Sequence, residues 1–386
     1  MAGFTKAGLA DLHEACAAYV GPTRVPGLVA LVARRDQVEA VVLGDLAIGG
    51  PPVARDSLFR ISSTTKPITA AATLALIGEG LLELDGPVDR LLPELADRRV
   101  LARPDGPLDQ TVPAARVVTL RDLLTFTFGF GVTFDMFGGP RPWPIVEAVD
   151  RLRLASFGAP EPQVPPDPDE WIARLGSLPL IAQPGERWLY NTPAQVLGVL
   201  LARAAGATLG VVLDGRLFRP LGMRQTTFWT SQVMRLATAY RPTADGLVVQ
   251  DEPGGAWSAA PRFEDGAAGL ISTADDLLAF ARMLLRGGAP VLSATAVRDM
   301  TTDQLTPAQR ARGGLGSDFF REMSWGFGQA VYDSGAYGWD GGFGTSWLVD
   351  PRHDLVVVVM TQRLFESATA PAVHQAVRRA AYAAMA

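Results

Sequence analysis

Lysine is nearly missing from this chain. Of its 35 Lys plus Arg residues only Lys6 and Lys66 are lysines; the other 33 are arginines. Cysteine occurs once, as Cys16, and histidine three times, as His13, His353 and His374. One cysteine excludes an intrachain disulfide. One Cys and three scattered His offer no metal-ligand spacing, so no metal is expected. A Ser-His-Asp triad needs a histidine beside the nucleophile. His13 and His374 fall in expected terminal helices and His353 in the turn 350–354, which leaves none to serve. No Gly-x-Ser-x-Gly occurs, against a nucleophile-elbow hydrolase. No P-loop or Gly-x-Gly-x-x-Gly occurs, against nucleotide binding. No apolar run reaches roughly 18 residues, so no membrane span is expected. Residues 1–13 lack a basic stretch followed by an apolar one and read as an amphipathic helix. With the single cysteine, that gives the expectation of a cytoplasmic protein.

What is present describes a globular chain. It has 386 residues, 48% hydrophobic and 19% charged. That is enough for one large domain or two. A net charge of −5, with arginines scattered along the chain, argues against nucleic-acid binding. Residues 27–33 and 38–43 are β-rich and read as a hairpin. Thr119 is an expected N-cap for a helix at 119–124. The stretch 126–137 is aromatic and broken by glycines, so it is not one regular element. Its aromatics serve the core or line a pocket, and the residues leave both open. Trp188–Arg203 passes from loop to apolar helix, ending near Gly206. Ser272 or Thr273 caps another helix. Segments 325–332, 345–349 and 355–360 read as strands, the last an unbroken buried run, and 367–384 as a final helix. The expected architecture is α+β: an antiparallel sheet flanked by terminal helices, with a helical, loop-rich insertion. Residues 1–72 and 262–386 form the sheet unit, 73–261 the insertion, and the active site lies between them.

One short stretch carries candidate chemistry. Ser63 and Lys66 stand three residues apart in Phe59–Pro67, which places both side chains on one helical face. Pro67 fits only the first helical turn, so the helix starts near Ser63–Lys66. A serine hydroxyl needs a nearby base to become a nucleophile. Arginine keeps its proton, whereas a buried lysine can lose it. A chain that uses Arg almost everywhere and keeps Lys here points to proton transfer rather than mere positive charge. The helix N-terminus also favours developing negative charge at Ser63.

Around that stretch the chain resembles the serine β-lactamase-like superfamily, and within it the family VIII carboxylesterases related to class C β-lactamases. The resemblance runs through Phe59–Pro67, Leu81–Pro93, Thr119–Leu124, Trp188–Tyr190 with Val196–Gly198, Phe218–Met223, Gly269–Asp276 and Trp339–Thr345 with Val349–Pro351. It implies Ser63 as nucleophile, Lys66 as its proton partner and Tyr190 as general base and acid, with the Lys66 ammonium favouring the Tyr190 phenolate. It implies an oxyanion hole from the N–H groups of Ser63 and Gly342. Trp339, Gly341, Asn191, Phe126 and Phe128 are the candidate substrate contacts, the glycines admitting substrate to the strand edge. No cofactor is implied.

The chain departs from the family pattern at three places. Trp339 stands where β-lactamases and penicillin-binding proteins carry Lys. Tyr190-Asn191-Thr192 is not Tyr-x-Asn, and Phe126 and Phe128 replace polar residues. The expected function is a serine hydrolase that cleaves carboxylic esters of small or hydrophobic acids through an acyl-enzyme on Ser63. Three alternatives stay open: acyl transfer to a small-molecule acceptor, a β-lactamase or D-peptidase, and a catalytically silent binding protein. The oligomeric state is not legible.

Overall fold

The computed structural model describes residues 3–316 and 318–386. Its centre is a seven-stranded antiparallel sheet. The strands run in the spatial order Gln37–Gly44, Gly27–Arg34, Leu355–Thr361, Thr345–Asp350, Tyr337–Gly341, Ala330–Tyr332 and Met323–Trp325. The first hairpin therefore meets the C-terminal strands in the middle of the sheet, with Leu31 opposite Val358.

Side chains alternate between the two faces of a strand, and here both faces are covered. Leu355, Val357 and Val359 pack with Leu12, Cys16, Val377 and Ala381, from the terminal helices Lys6–Ala17 and Ala372–Ala383. Val356, Val358 and Met360 face the other way, into the main core with Leu277, Phe280 and Ala281 of the helix Ala274–Leu285. Double coverage explains why this strand reads as an unbroken apolar run instead of an alternating one. The last helix begins at Ala372, later than the pattern suggests, because Pro371 is its N-cap. The expected strand 325–332 is instead the end of Met323–Trp325, a turn where Gly328 takes φ 72°, and the strand Ala330–Tyr332.

The main core also contains Ile68, Ala72, Leu197 and Leu201, so it continues from the sheet into the helices Thr65–Gly78 and Thr192–Ala205. The helix Thr65–Gly78 is buried from Thr65 to Leu76 and packs against the helix Thr192–Ala205. The latter ends at Gly206 in the left-handed conformation, a position glycine adopts without a Cβ penalty. Thr119 caps its helix through a capping box with Asp122, and Thr273 caps Ala274–Leu285. Between residues 85 and 115 lie two 3-10 turns and a small hairpin, Arg99–Leu101 with Thr111–Pro113.

Candidate active site

Ser63 sits in a 3-10 turn, Ser62–Thr64, that feeds directly into the helix Thr65–Gly78. Ser62 holds φ 45°, a conformation uncommon outside glycine. The Ser63 N–H is in the first turn, where a helix has no partner of its own to offer. Lys66 follows one turn later and is fully buried. Its Nζ donates to Ser63 Oγ at 3.0 Å and to the Ala267 carbonyl at 3.0 Å. Burial penalises the ammonium and pushes the Lys66 pKa down from 10.5 to about 7, against the pull of the Asp265 carboxylate. The neutral amine needed of a base is thus available near neutral pH.

Tyr190 lies just ahead of the helix Thr192–Ala205, whose N-cap is Asn191. The bridge Val132–Tyr190 and the aromatic block behind it fix its ring: Trp188 is 5.4 Å away centroid to centroid, Phe126 6.0 Å and Trp339 5.8 Å. Lys66 Nζ lies 4.4 Å from the centre of the Tyr190 ring. The Trp339 indole Nε1–H donates to the Tyr190 hydroxyl at 2.8 Å. Burial raises the Tyr190 pKa above its usual 10, with hydrogen bonds to Ser63 and Trp339 opposing the shift. This corrects the expectation that Lys66 makes Tyr190 a phenolate. Desolvation opposes the charged form of both groups, lowering the Lys66 pKa and raising that of Tyr190.

Ser63, Tyr190, Trp339 and Gly342 line one cleft of about 750 Å³. Phe134, Leu315, Phe319 and Met323 supply apolar surface to it; Asp340, Gln375, Thr369 and Arg378 supply polar surface. Arg378 donates to Asp340 and to Ser346 Oγ, so the guanidinium in the cleft already has a carboxylate partner. Gly342 follows the strand Tyr337–Gly341, and a Cβ there would have 3.9 Å to its nearest neighbour, Ser62 Oγ.

The other expected substrate contacts lie elsewhere. Gly341 is buried, and a Cβ there would meet Ile61 O at 2.2 Å and Thr345 Oγ1 at 2.3 Å. Its missing side chain seats the strand against the turn before Ser63; it does not admit substrate. Asn191 is buried at φ 74° and its Nδ2 donates to the Ser156 carbonyl at 2.9 Å, so its amide braces a loop. Phe126 and Phe128 are fully buried. Phe126 packs 4.9 Å from Trp325 behind Tyr190, and Phe128 belongs to the main core. Neither reaches the cleft, because apolar rings this large gain more from full burial than from a half-wet surface. Among the described residues no histidine hydrogen-bonds to Ser63. His353 pairs with Asp350, and His374 is buried, its pKa lowered to about 4 by desolvation, with Nε2 3.2 Å from Gly344 O.

Sequence reasoning missed the partners behind Lys66: Ala267, whose carbonyl it touches, then Asp265, Gln195 and Ser156. No spacing links residues 66 and 265, and a backbone carbonyl leaves no mark in a sequence.

The model of the family described as Beta-lactamase matches residues 12–382. Protein Rv1367c of Mycobacterium tuberculosis is 37% identical over 92% of this chain and 88% of its own length. Esterase EstB of Burkholderia gladioli is 34% identical over 93% of this chain and 91% of its own. Among solved structures EstCE1, described as a hydrolase with promiscuous acyltransferase activity, superposes with a TM-score of 0.80 at 25% identity, covering 97% of this chain and 99% of that one.

Proposed function

The chain belongs to the beta-lactamase family, and from that premise we propose that Ser63 attacks an ester carbonyl and carries the acyl group as a covalent intermediate. The protein is a serine hydrolase of the carboxylesterase type. One observation carries the mechanism: the buried Lys66 amine, its pKa near 7, stands 3.0 Å from Ser63 Oγ. Lys66 takes the Ser63 proton as the Oγ–carbonyl bond forms. Tyr190, a neutral phenol, donates its proton to the departing alkoxide, and the proton held by Lys66 makes good that loss. Water then attacks the acyl-enzyme by the same steps in reverse. We assign the oxyanion to the N–H groups of Ser63 and Gly342. In support, among the described residues the Gly342 N–H donates to no other group. We take the cleft to lie between the unit 1–72 with 262–386, which gives Ser63, Lys66 and Gly342, and the insertion 73–261, which gives Tyr190.

The substrate class we propose is an uncharged ester of a small or hydrophobic acid. Trp339 occupies the place of a cation and spends its N–H on Tyr190, which leaves a substrate carboxylate without that partner. Penicillins and D-Ala-D-Ala peptides are therefore expected to be poor substrates. A second reading, acyl transfer to a small-molecule acceptor, is supported by the acyltransferase activity described for EstCE1. Water and an acceptor alcohol compete for one intermediate. Intact-mass measurement during turnover of p-nitrophenyl butyrate tests both readings. A butyryl adduct on Ser63, absent from Ser63→Ala, is expected. Free butyrate as sole product with an added alcohol present means hydrolysis alone, and a new butyrate ester means transfer. Turnover that survives Ser63→Ala would sink the mechanism.

A further inference from the structure

The buried groups behind Lys66 form a connected set. Asp265 Oδ1 accepts the Ala267 N–H at 2.7 Å, and the Ala267 carbonyl in turn accepts Lys66 Nζ at 3.0 Å. The Gly266 carbonyl accepts Thr69 Oγ1 at 2.7 Å, which pins the same segment to the Lys66 helix. Asp265 Oδ2 accepts Gln195 Nε2 at 3.3 Å, and Gln195 Oε1 accepts the Ser156 hydroxyl at 2.7 Å. The Ser156 carbonyl accepts Asn191 Nδ2 at 2.9 Å, next to Tyr190. The chain of bonds thus begins at the amine and ends beside the phenol. Asp265 is the one acidic member, and it is 8% exposed.

An acid so placed is costly unless it is compensated. The main core could have closed over an apolar residue here, and two backbone carbonyls would still have anchored the helix. We propose that Asp265 is a positioning residue for Lys66: it aims the Ala267 carbonyl at the amine through the Ala267 N–H, and its negative charge governs how tightly Lys66 holds its proton. The inference rests on Lys66 acting as the base at Ser63.

The surroundings leave Asp265 as the charge that matters. Among the described residues, the titratable groups facing Lys66 are Asp265, on the segment before Ile271, and Tyr190, ahead of the helix Thr192–Ala205. Gln195 on that helix is uncharged, and Asp340 on the strand Tyr337–Gly341 is held by Arg378. The Asp265 carboxyl is itself raised by burial, with the Ala267 and Gln195 donors and the Lys66 charge opposing. Each of these partners favours the carboxylate, and the carboxylate favours the ammonium. Without Asp265, desolvation alone would drive Lys66 further down.

Asp265→Asn separates charge from packing. The asparagine oxygen still accepts the Ala267 N–H, and a flipped Gln195 amide can accept from the new NH₂. The measurement is kcat/KM for p-nitrophenyl butyrate against pH, with the rate of Ser63 labelling by a fluorophosphonate over the same range and Lys66→Met run alongside. The ascending limb should move to lower pH by about one unit or more, the lower range for loss of one nearby opposite charge. Lys66→Met should be inactive. A merely structural Asp265 would lower the whole profile without moving its limb. A folded Asp265→Asn with an unmoved limb, beside an inactive Lys66→Met, overturns the role of Asp265 and leaves Lys66 standing. An active Lys66→Met overturns both. If Asp265→Asn does not fold, Asp265→Ser decides. It also removes the charge while its hydroxyl can accept the Ala267 N–H, so the same downward shift of the limb supports the proposal and an unmoved limb overturns it.

Discussion

Two sides of Ser63 are built from opposite materials. Behind it, Lys66, Asp265, Gln195 and Ser156 form a polar set closed off from water. On its other side, Tyr190 stands at the front of an aromatic block with Trp188, Phe126, Trp325 and Trp339. The polar side holds a group whose proton affinity has been moved toward neutral pH by burial, and an acid restrains how far it moves. The aromatic side holds a group whose proton affinity has been moved away from neutral pH, and packing fixes where its hydroxyl points. On the mechanism proposed above, one side sets when a proton leaves and the other where it goes. The same desolvation acts on both, with opposite sign because one group is charged when protonated and the other when deprotonated.

If that division is right, the polar side should fail hardest when its one movable proton is fixed. Lys66→Arg keeps the positive charge and removes the base. We expect kcat to fall by about a thousandfold or more, within the range ascribed to a positioned acid or base, with thermal unfolding as the control for fold. A folded variant within a few-fold of wild type would erase the distinction between the two sides.

Tyr190→Phe attacks the aromatic side at its single polar atom. The ring still stacks on Trp188, so stability should hold, and kcat should drop by at least about a hundredfold. A variant that melts early yet turns over normally would make Tyr190 part of the block and nothing more.

The pH profile sharpens the contrast without mutation. Lys66 must be neutral to act, and its pKa is about 7. kcat/KM should therefore climb with pH and level off above 7, losing about tenfold for each unit below. On the alkaline side Tyr190 keeps its proton beyond its usual 10, so no matching decline from its ionisation is expected up to that pH. A bell centred near 7 would mean that the phenol titrates early and that burial does not govern it.

What the sequence made legible divides along the same line. Local chemistry was readable: Pro67 and the Ser63–Lys66 spacing located the helix start, Thr119 marked one cap and the pair Ser272 or Thr273 another, which Thr273 supplies, and the apolar run 355–360 marked the central strand. Lys66 stood out because arginine is used almost everywhere else. Exposure was not readable. Phe126 and Phe128 looked as suited to a pocket as to a core, and only tertiary packing places them behind the block. Asn191 and Gly341 carry residue types that a site would use, yet one braces Ser156 and the other makes room for Ile61. The Asp265 set was hidden most deeply. Its link to Lys66 passes through the Ala267 backbone across 201 positions of sequence.

The smallest expected effect tests how much of the aromatic side's precision comes from one hydrogen bond. Trp339 packs edge-on to Trp325 at 4.7 Å and donates its Nε1–H to the Tyr190 hydroxyl at 2.8 Å. Trp339→Phe keeps an aromatic ring against Trp325 and removes the donor. The hydroxyl then loses one of the bonds that orient it, while Ser63 remains its partner. A net bond of this kind is worth about 0.5–1.5 kcal/mol, which is roughly twofold to tenfold in rate. The loss should fall on kcat for p-nitrophenyl butyrate, because the bond orients a proton donor, and the ascending limb near pH 7 should stay where it is, because Lys66 is untouched. If the limb moves with Trp339→Phe, the two sides of Ser63 are coupled through Tyr190, and the division of labour between them fails.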